Sequence, residues 1–224
     1  MNLENHPISA KYELETVPIG IGGKRMQFYR VGNWEPFIEK LFAEGGSFTD
    51  FPHWIKIWEA SLVLADYLLD AGLDCPQSVL EIGAGMGITG MFLAAFGHEV
   101  TLTDNQEDSL ALLRLNVEYN GLSGNAQVRF LDWHEPDLED RFDIICGAEV
   151  IYRESAFAPL TALFRRHLKP GGRIFLAHDR QRNSTEKFIS RLPQDMTAES
   201  IGKTFSGKDM ARRIIIHTIN QPSL

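Results

Sequence analysis

Glu81 stands ahead of three alternate glycines, Gly83, Gly85 and Gly87, and Asp104 follows at the end of a second apolar run, Val100–Thr103. Alternate glycines let the chain turn tightly and bring a ligand against bare backbone, an approach that a Cβ would block. A carboxylate at the tip of the next strand suits the paired hydroxyls of a ribose. Further along, Asp132-Trp133 closes another apolar run, offering an acid for an exocyclic amine and a ring for stacking on a base. The chemistry these residues serve is the holding of an adenosine-type cofactor.

The glycine stretch satisfies two patterns. Gly85-Met-Gly87-Ile-Thr-Gly90 fits GxGxxG, a dinucleotide fingerprint, with Asp104 beyond it. Glu81-Ile-Gly83-Ala-Gly85-Met-Gly87 reads instead as E-x-G-x-G-x-G. A dinucleotide needs a helix N-terminus for its pyrophosphate, whereas a cofactor without phosphate does not. An ion-paired or helix-capping Glu81 is the plainer alternative to a ligand-binding one.

The elements that must position these residues follow in order. Residues 12–31 hold two strand-like runs around Gly20–Gly23 and predict a hairpin. Residues 35–43 predict a short helix, so that residues 1–50 form an accessory unit expected to cover the cofactor or shape the substrate site. Trp58, Leu62, Ala65 and Leu69 give a helical stripe closed by Gly72, with Trp54 and Trp58 at its start. Strands are predicted at 79–82, 100–103, 126–133, 142–148 and 173–178, with helices at 106–120, 155–168 and near 184–192. The 142–148 run is the most apolar and belongs at the centre of the sheet. Pro170-Gly171-Gly172 is expected to stop the helix before it, whose end carries Arg165, Arg166, His167 and Lys169. Two strand-like runs near 196–204 and 211–219 suit an antiparallel edge. The fold class is α/β: a doubly wound, Rossmann-like, seven-stranded and mostly parallel sheet, occupying residues 51–224.

Composition narrows the function. With 224 residues, 44% of them hydrophobic, the chain can bury a full core, and a net charge of −8 supplies no general attraction for nucleic acid or anionic membrane. Cys75 and Cys146 fit no metal-ligand or redox spacing, so no metal is expected and the thiols read as reduced, in the cytoplasm. The first residues lack the basic start and apolar core of a signal peptide. Oligomeric state is not legible.

Four patterns in order, Trp58, Glu81–Gly87 with Asp104, Asp132-Trp133, and Glu149-x-x-Tyr152, together resemble the seven-strand S-adenosylmethionine (AdoMet) methyltransferases, and within them the protein-lysine branch called methyltransferase family 16. The resemblance covers roughly residues 50–220. It implies AdoMet as cofactor and S-adenosylhomocysteine as product. It implies Gly83, Gly85 and Gly87 with Glu81 at the amino-acid end, Asp104 on the ribose, Asp132 and Trp133 at the adenine, and Trp58 as a wall. Glu149 and Tyr152 are the implied catalytic pair, Glu149 orienting the acceptor and accepting its hydrogen bond. The branch carries Asp-x-x-Tyr where this chain has Glu149. The acceptor implied is a protein lysine. A small-molecule acceptor on the same fold, a non-catalytic AdoMet-binding module, and a nicotinamide-dependent oxidoreductase through GMGITG are the other readings the residues leave open.

Overall fold

The computed structural model describes residues 6–46, 51–207 and 211–221. Strands β1 (Leu14–Ile21) and β2 (Lys24–Val31) pair antiparallel around Gly22 and Gly23, both in left-handed backbone, as the pattern predicts. Helix α1 (Glu35–Ala43) has the predicted bounds. Then follow α2 (Glu59–Asp70), β3 (Ser78–Glu81), α3 (Ile88–Ala95), β4 (Glu99–Asp104), α4 (Glu107–Tyr119), β5 (Ala126–Phe130) and β6 (Phe142–Ala148). The chain ends with α5 (Phe157–His167), β7 (Leu168–Asp179), α6 (Asn183–Ser190), β8 (Thr197–Ser206) and β9 (Ala211–Asn220).

The strands after the hairpin form one seven-stranded sheet in the order β5-β4-β3-β6-β7-β9-β8. The first five are parallel, and β9 runs antiparallel to both β7 and β8, giving the expected edge. The chain moves outward from β3 to β5, then returns to β6 beside β3 and continues the other way. Such a reversal leaves a crevice at the carboxyl ends of the strands. The apolar β6 is central, as expected. Side chains alternate between two cores. Val79, Ile144, Cys146 and Phe175 share a core with α2, α3, α4 and the hairpin, while Leu80, Ile145, Ile174 and Leu176 share the other with α5 and α6. Helix α3 is buried from Ile88 through Ala94, as a helix apolar on every side must be.

Four expectations are corrected. The fully buried positions of α2 are Ala60, Leu64, Ala65 and Leu68, so that of the expected stripe Ala65 is buried and Leu62 and Leu69 are partly buried against the same core; the helix starts after Trp58, whose indole Nε1–H donates to the His53 carbonyl (2.8 Å). Pro170-Gly171-Gly172 does not stop α5. That helix ends at His167, Leu168 already pairs with Phe142, and the tripeptide bulges out before Arg173 rejoins Ile144. Of the basic residues there, Arg165, Arg166 and His167 do sit in the last turn of α5, His167 buried with Nδ1 on the Asp140 carbonyl, whereas Lys169 lies in β7 and bonds Asp143 and Ser78 (both 2.9 Å).

The fourth correction concerns the hairpin, which does not cover the crevice. It lies against α4, where Asn116 accepts from the Tyr29 N–H (2.7 Å) and donates to the Tyr29 carbonyl (3.1 Å). Asn120 repeats the pattern at Gln27 (3.2 and 2.8 Å). Each carboxamide pairs with β2 much as a further strand would. Phe28 packs on Phe92 of α3. The expected boundary at residue 50 and the N-terminal residues 1–5 lie outside the described residues.

Candidate active site

A cavity of about 530 Å³ opens where the sheet reverses, at the carboxyl ends of β3, β4, β5 and β6. This size lies within the usual range for small-molecule sites, about 300–1,000 Å³. Among the described residues none of 6–46 lines it. Its floor is the glycine loop. Ala84 N–H donates to the Thr103 carbonyl (2.8 Å) and Gly85 N–H to Asp104 Oδ2 (3.0 Å), tying the loop to the end of β4. Gly83 must be glycine on two counts: φ is +55°, and a Cβ would stand 2.9 Å from Val150 Cγ1 and 3.4 Å from Trp133 Cζ2. Gly83 and Gly85 line the cavity, but Gly87 does not; it turns the chain into α3 and faces Leu113.

Glu81 is 2% exposed and its carboxylate accepts from the Gly90 N–H (2.8 Å), in the first turn of α3. Burial pushes its pKa up to about 8, against the pull of that hydrogen bond. It therefore both caps α3 and borders the cavity. Asp104 is buried too, and burial raises its carboxyl although Gly85 N–H, Ser109 Oγ–H and Gln106 N–H all donate to it (3.0, 2.9 and 3.0 Å). Asp132 and Trp133 lie just past β5. Asp132 accepts from the backbone and ring of His134 (2.9 and 3.1 Å), which hold its carboxyl below the usual carboxylate range. Trp133 is half-buried over Gly83. Trp58 lines the cavity with its ring 5.9 Å from that of His53 and the Arg182 guanidinium over it (5.1 Å).

The lip beyond β6 is the surprise. Glu149 has φ +58°, the only non-glycine in left-handed backbone among the described residues, and its N–H donates to the Ala177 carbonyl (2.8 Å). Its side chain is only 6% exposed, accepting from the Asp179 N–H (2.7 Å) and ion-paired with Arg182 Nε (2.5 Å). Burial raises its carboxyl despite the cation beside it. Glu149 thus borders the cavity with both carboxylate oxygens engaged, Oε1 by the Asp179 N–H and Oε2 by Arg182. The extra methylene relative to Asp gives the carboxylate reach toward Asp179 and Arg182. Tyr152, by contrast, is 44% exposed, with its ring 5.3 Å from that of His53. His53 is held in its neutral form by burial and by the nearby Arg182 and Arg153.

Sequence reading missed His53 and Arg182. His53 sits in a one-turn 3₁₀ segment with no periodic signal, and Arg182 follows β7, a different strand from the motif it serves. It also missed a buried pair far from the glycine loop. His178 and His217 face each other through Nε2 atoms 2.9 Å apart, ring planes within 4° of parallel and centroids 5.1 Å apart, an end-to-end N–H···N hydrogen bond. His178 Nδ1 lies on the Asp179 carbonyl (2.9 Å) and His217 Nδ1 on Ser200 Oγ (2.7 Å), so one neutral tautomer chain satisfies every group. Glu186 stands alongside at 3.6 and 3.8 Å.

Two flat indoles, a desolvated carboxylate at the tip of β4 and a bare glycine backbone suit an adenosyl group with an amino-acid tail, and the donor set fits AdoMet. Residues 54–195 match the lysine methyltransferase family. The protein N-lysine methyltransferase METTL21A of Danio rerio is 31% identical over 187 residues, covering 74% of this chain and 85% of its own. EEF1A lysine methyltransferase 3 of Mus musculus is 34% identical over 150 residues, 64% of each chain. The glycopeptide N-methyltransferase MtfA, solved in complex with S-adenosyl-L-methionine, superposes with a TM-score of 0.53 at 17% identity, over 73% of this chain and 94% of its own.

Proposed function

The chain belongs to the lysine methyltransferase family and is an AdoMet-dependent methyltransferase, and we propose that it methylates the ε-amine of a lysine side chain in a protein. The observation that carries this reading is that the family match, 54–195, contains the whole lining of the cavity except Phe51, Pro52 and His53. In this reading residues 51–224 are the catalytic unit, residues 1–50 an accessory one, and the enzyme works in the cytoplasm with Cys75 and Cys146 unpaired. Asp104 takes the ribose hydroxyls, Trp133 and Asp132 the adenine, and the Gly83–Gly85 backbone the amino-acid end. Trp58 closes the opposite wall, and Glu81 fixes the loop from below.

AdoMet, when bound, supplies a methyl group activated by a sulfonium. What the chain itself contributes is placement, because a direct displacement needs its partners in line and little else. The acceptor enters past Tyr152, the exposed side chain of the lip, against His53. A lysine must arrive as the free amine. With an ordinary pKa near 10.4, reaching that form at pH 7 costs about 4–5 kcal/mol.

The test is calorimetric titration with AdoMet, S-adenosylhomocysteine and NAD. Micromolar binding of the first two and none of NAD is expected, with Trp133→Ala weakening AdoMet about tenfold through the lost stacking surface. Binding of NAD, or an unchanged affinity in Trp133→Ala, would overturn the assignment of the site.

A further inference from the structure

Five side chains are linked at the mouth of the cavity, His53, Trp58, Glu149 and Tyr152 lining it and Arg182 reaching Glu149 and Trp58 without lining it itself. Glu149 pairs with Arg182, Arg182 lies over the Trp58 ring, and Trp58 donates to the His53 carbonyl. His53 meets Tyr152, and Tyr152 returns through the chain to Glu149. Arg182 is the cation that joins the two sides, ion-paired with Glu149 of the acceptor lip and lying over Trp58 of the cofactor wall, while His53 bridges them through its ring, 5.9 Å from Trp58 and 5.3 Å from Tyr152. A carboxylate beside an acceptor ammonium would keep the proton on it, the opposite of what transfer requires. Glu149 lines the cavity that the acceptor enters, and without the Arg182 ion pair, against which its Oε2 is fully buried, it would act as such a carboxylate.

We propose that Arg182 is a positioning residue of the transfer site: its ion pair holds the strained Glu149–Tyr152 lip against Trp58 and cancels the carboxylate's charge, so that an acceptor ammonium entering past Tyr152 gives up its proton before transfer. This rests on the protein-lysine reading above. The ammonium proton leaves to solvent. The amine lone pair then forms the N–C bond to the methyl carbon as the C–S bond breaks and its electron pair returns to sulfur, and the methylated nitrogen later releases a second proton. The other charges facing Glu149 are arranged to leave this balance intact. Asp179 and Glu59 share Arg212 (2.9 and 3.3 Å), and Lys56, Arg153 and a neutral His53 line the mouth.

The experiment measures turnover against pH with radiolabelled AdoMet and a desalted soluble cell extract as acceptor, following one labelled protein band and identifying the labelled amino acid after acid hydrolysis. Arg182→Gln leaves the carboxylate uncompensated and raises the midpoint of the alkaline rise by about one pH unit. Glu149→Gln lowers it, the double variant returns it toward wild type, and Arg182→Lys keeps it. AdoMet affinity, measured on each variant, confirms that the cofactor side is intact. A merely structural Arg182 would lower turnover in every variant with the midpoint unmoved, and that result overturns the proposal alone. Label on a residue other than lysine overturns the protein-lysine reading and the proposal with it.

Discussion

Burial sets the protonation state of Glu81, and the consequence is measurable. Its folded pKa is raised to about 8, above the ordinary 4.5. Below the lower value both states carry the proton, and as pH rises toward 8 the folded state keeps a proton that the unfolded chain has lost. Stability therefore falls over that window. Glu81→Gln removes the effect while keeping an acceptor for the Gly90 N–H. Its urea midpoint should gain on wild type steadily from about pH 5 to about pH 8 and run parallel above; parallel curves throughout would show that Glu81 carries no such proton. At this scale the local motif was readable, because Glu81, Gly83, Gly85 and Asp104 sit in one strand–turn–helix–strand unit whose geometry follows from spacing. Trp58, Trp133 and Tyr152 also line the cavity. The fate of the Glu149 carboxylate was not readable. It depends on Arg182, and that meeting exists only because β6 and β7 are neighbours in the sheet.

Among the elements, the hairpin is the one whose position the sequence misstates. Its strands and turn follow from alternation and glycines, but its docking is written in Asn116 and Asn120, two ordinary-looking polar residues on α4. Replacing either by Ala strands β2 backbone groups and should cost about 1–3 kcal/mol. The double variant Asn116→Ala/Asn120→Ala is expected to lose hydrogen-exchange protection in β2 while keeping its AdoMet affinity, since no described residue of the hairpin lines the cavity. A matching loss of affinity would place the hairpin in the site after all. The Pro170–Gly172 bulge teaches a similar lesson. Proline and glycine signal an interruption, yet whether they end a helix or swell a strand is decided by the strand alongside.

For the whole molecule, the parallel sheet and its reversal between β3 and β6 place the cavity, and the antiparallel edge carries a separate sensitivity to acid. His178 and His217 are both held below the ordinary histidine value, chiefly by burial, His217 to about 4 with help from its neighbour's charge. The unfolded chain takes up these protons first as pH falls below about 6.5. The stability the neutral pair contributes is complete above that value and is lost progressively toward about pH 4. His217→Gln should flatten the acid limb of the denaturation midpoint relative to wild type; an unchanged limb would show that the pair contributes no such sensitivity to acid. Among the described residues no helix is long and apolar enough to cross a membrane. Methyl transfer to a protein lysine is decided by the chemical identity of the product. Purified enzyme is incubated with methyl-labelled AdoMet and a desalted extract, and the labelled protein is hydrolysed in acid and its amino acids separated. Label in methylated lysine, abolished by Gly83→Ala, is the predicted result. Label confined to small molecules or to another amino acid would contradict it.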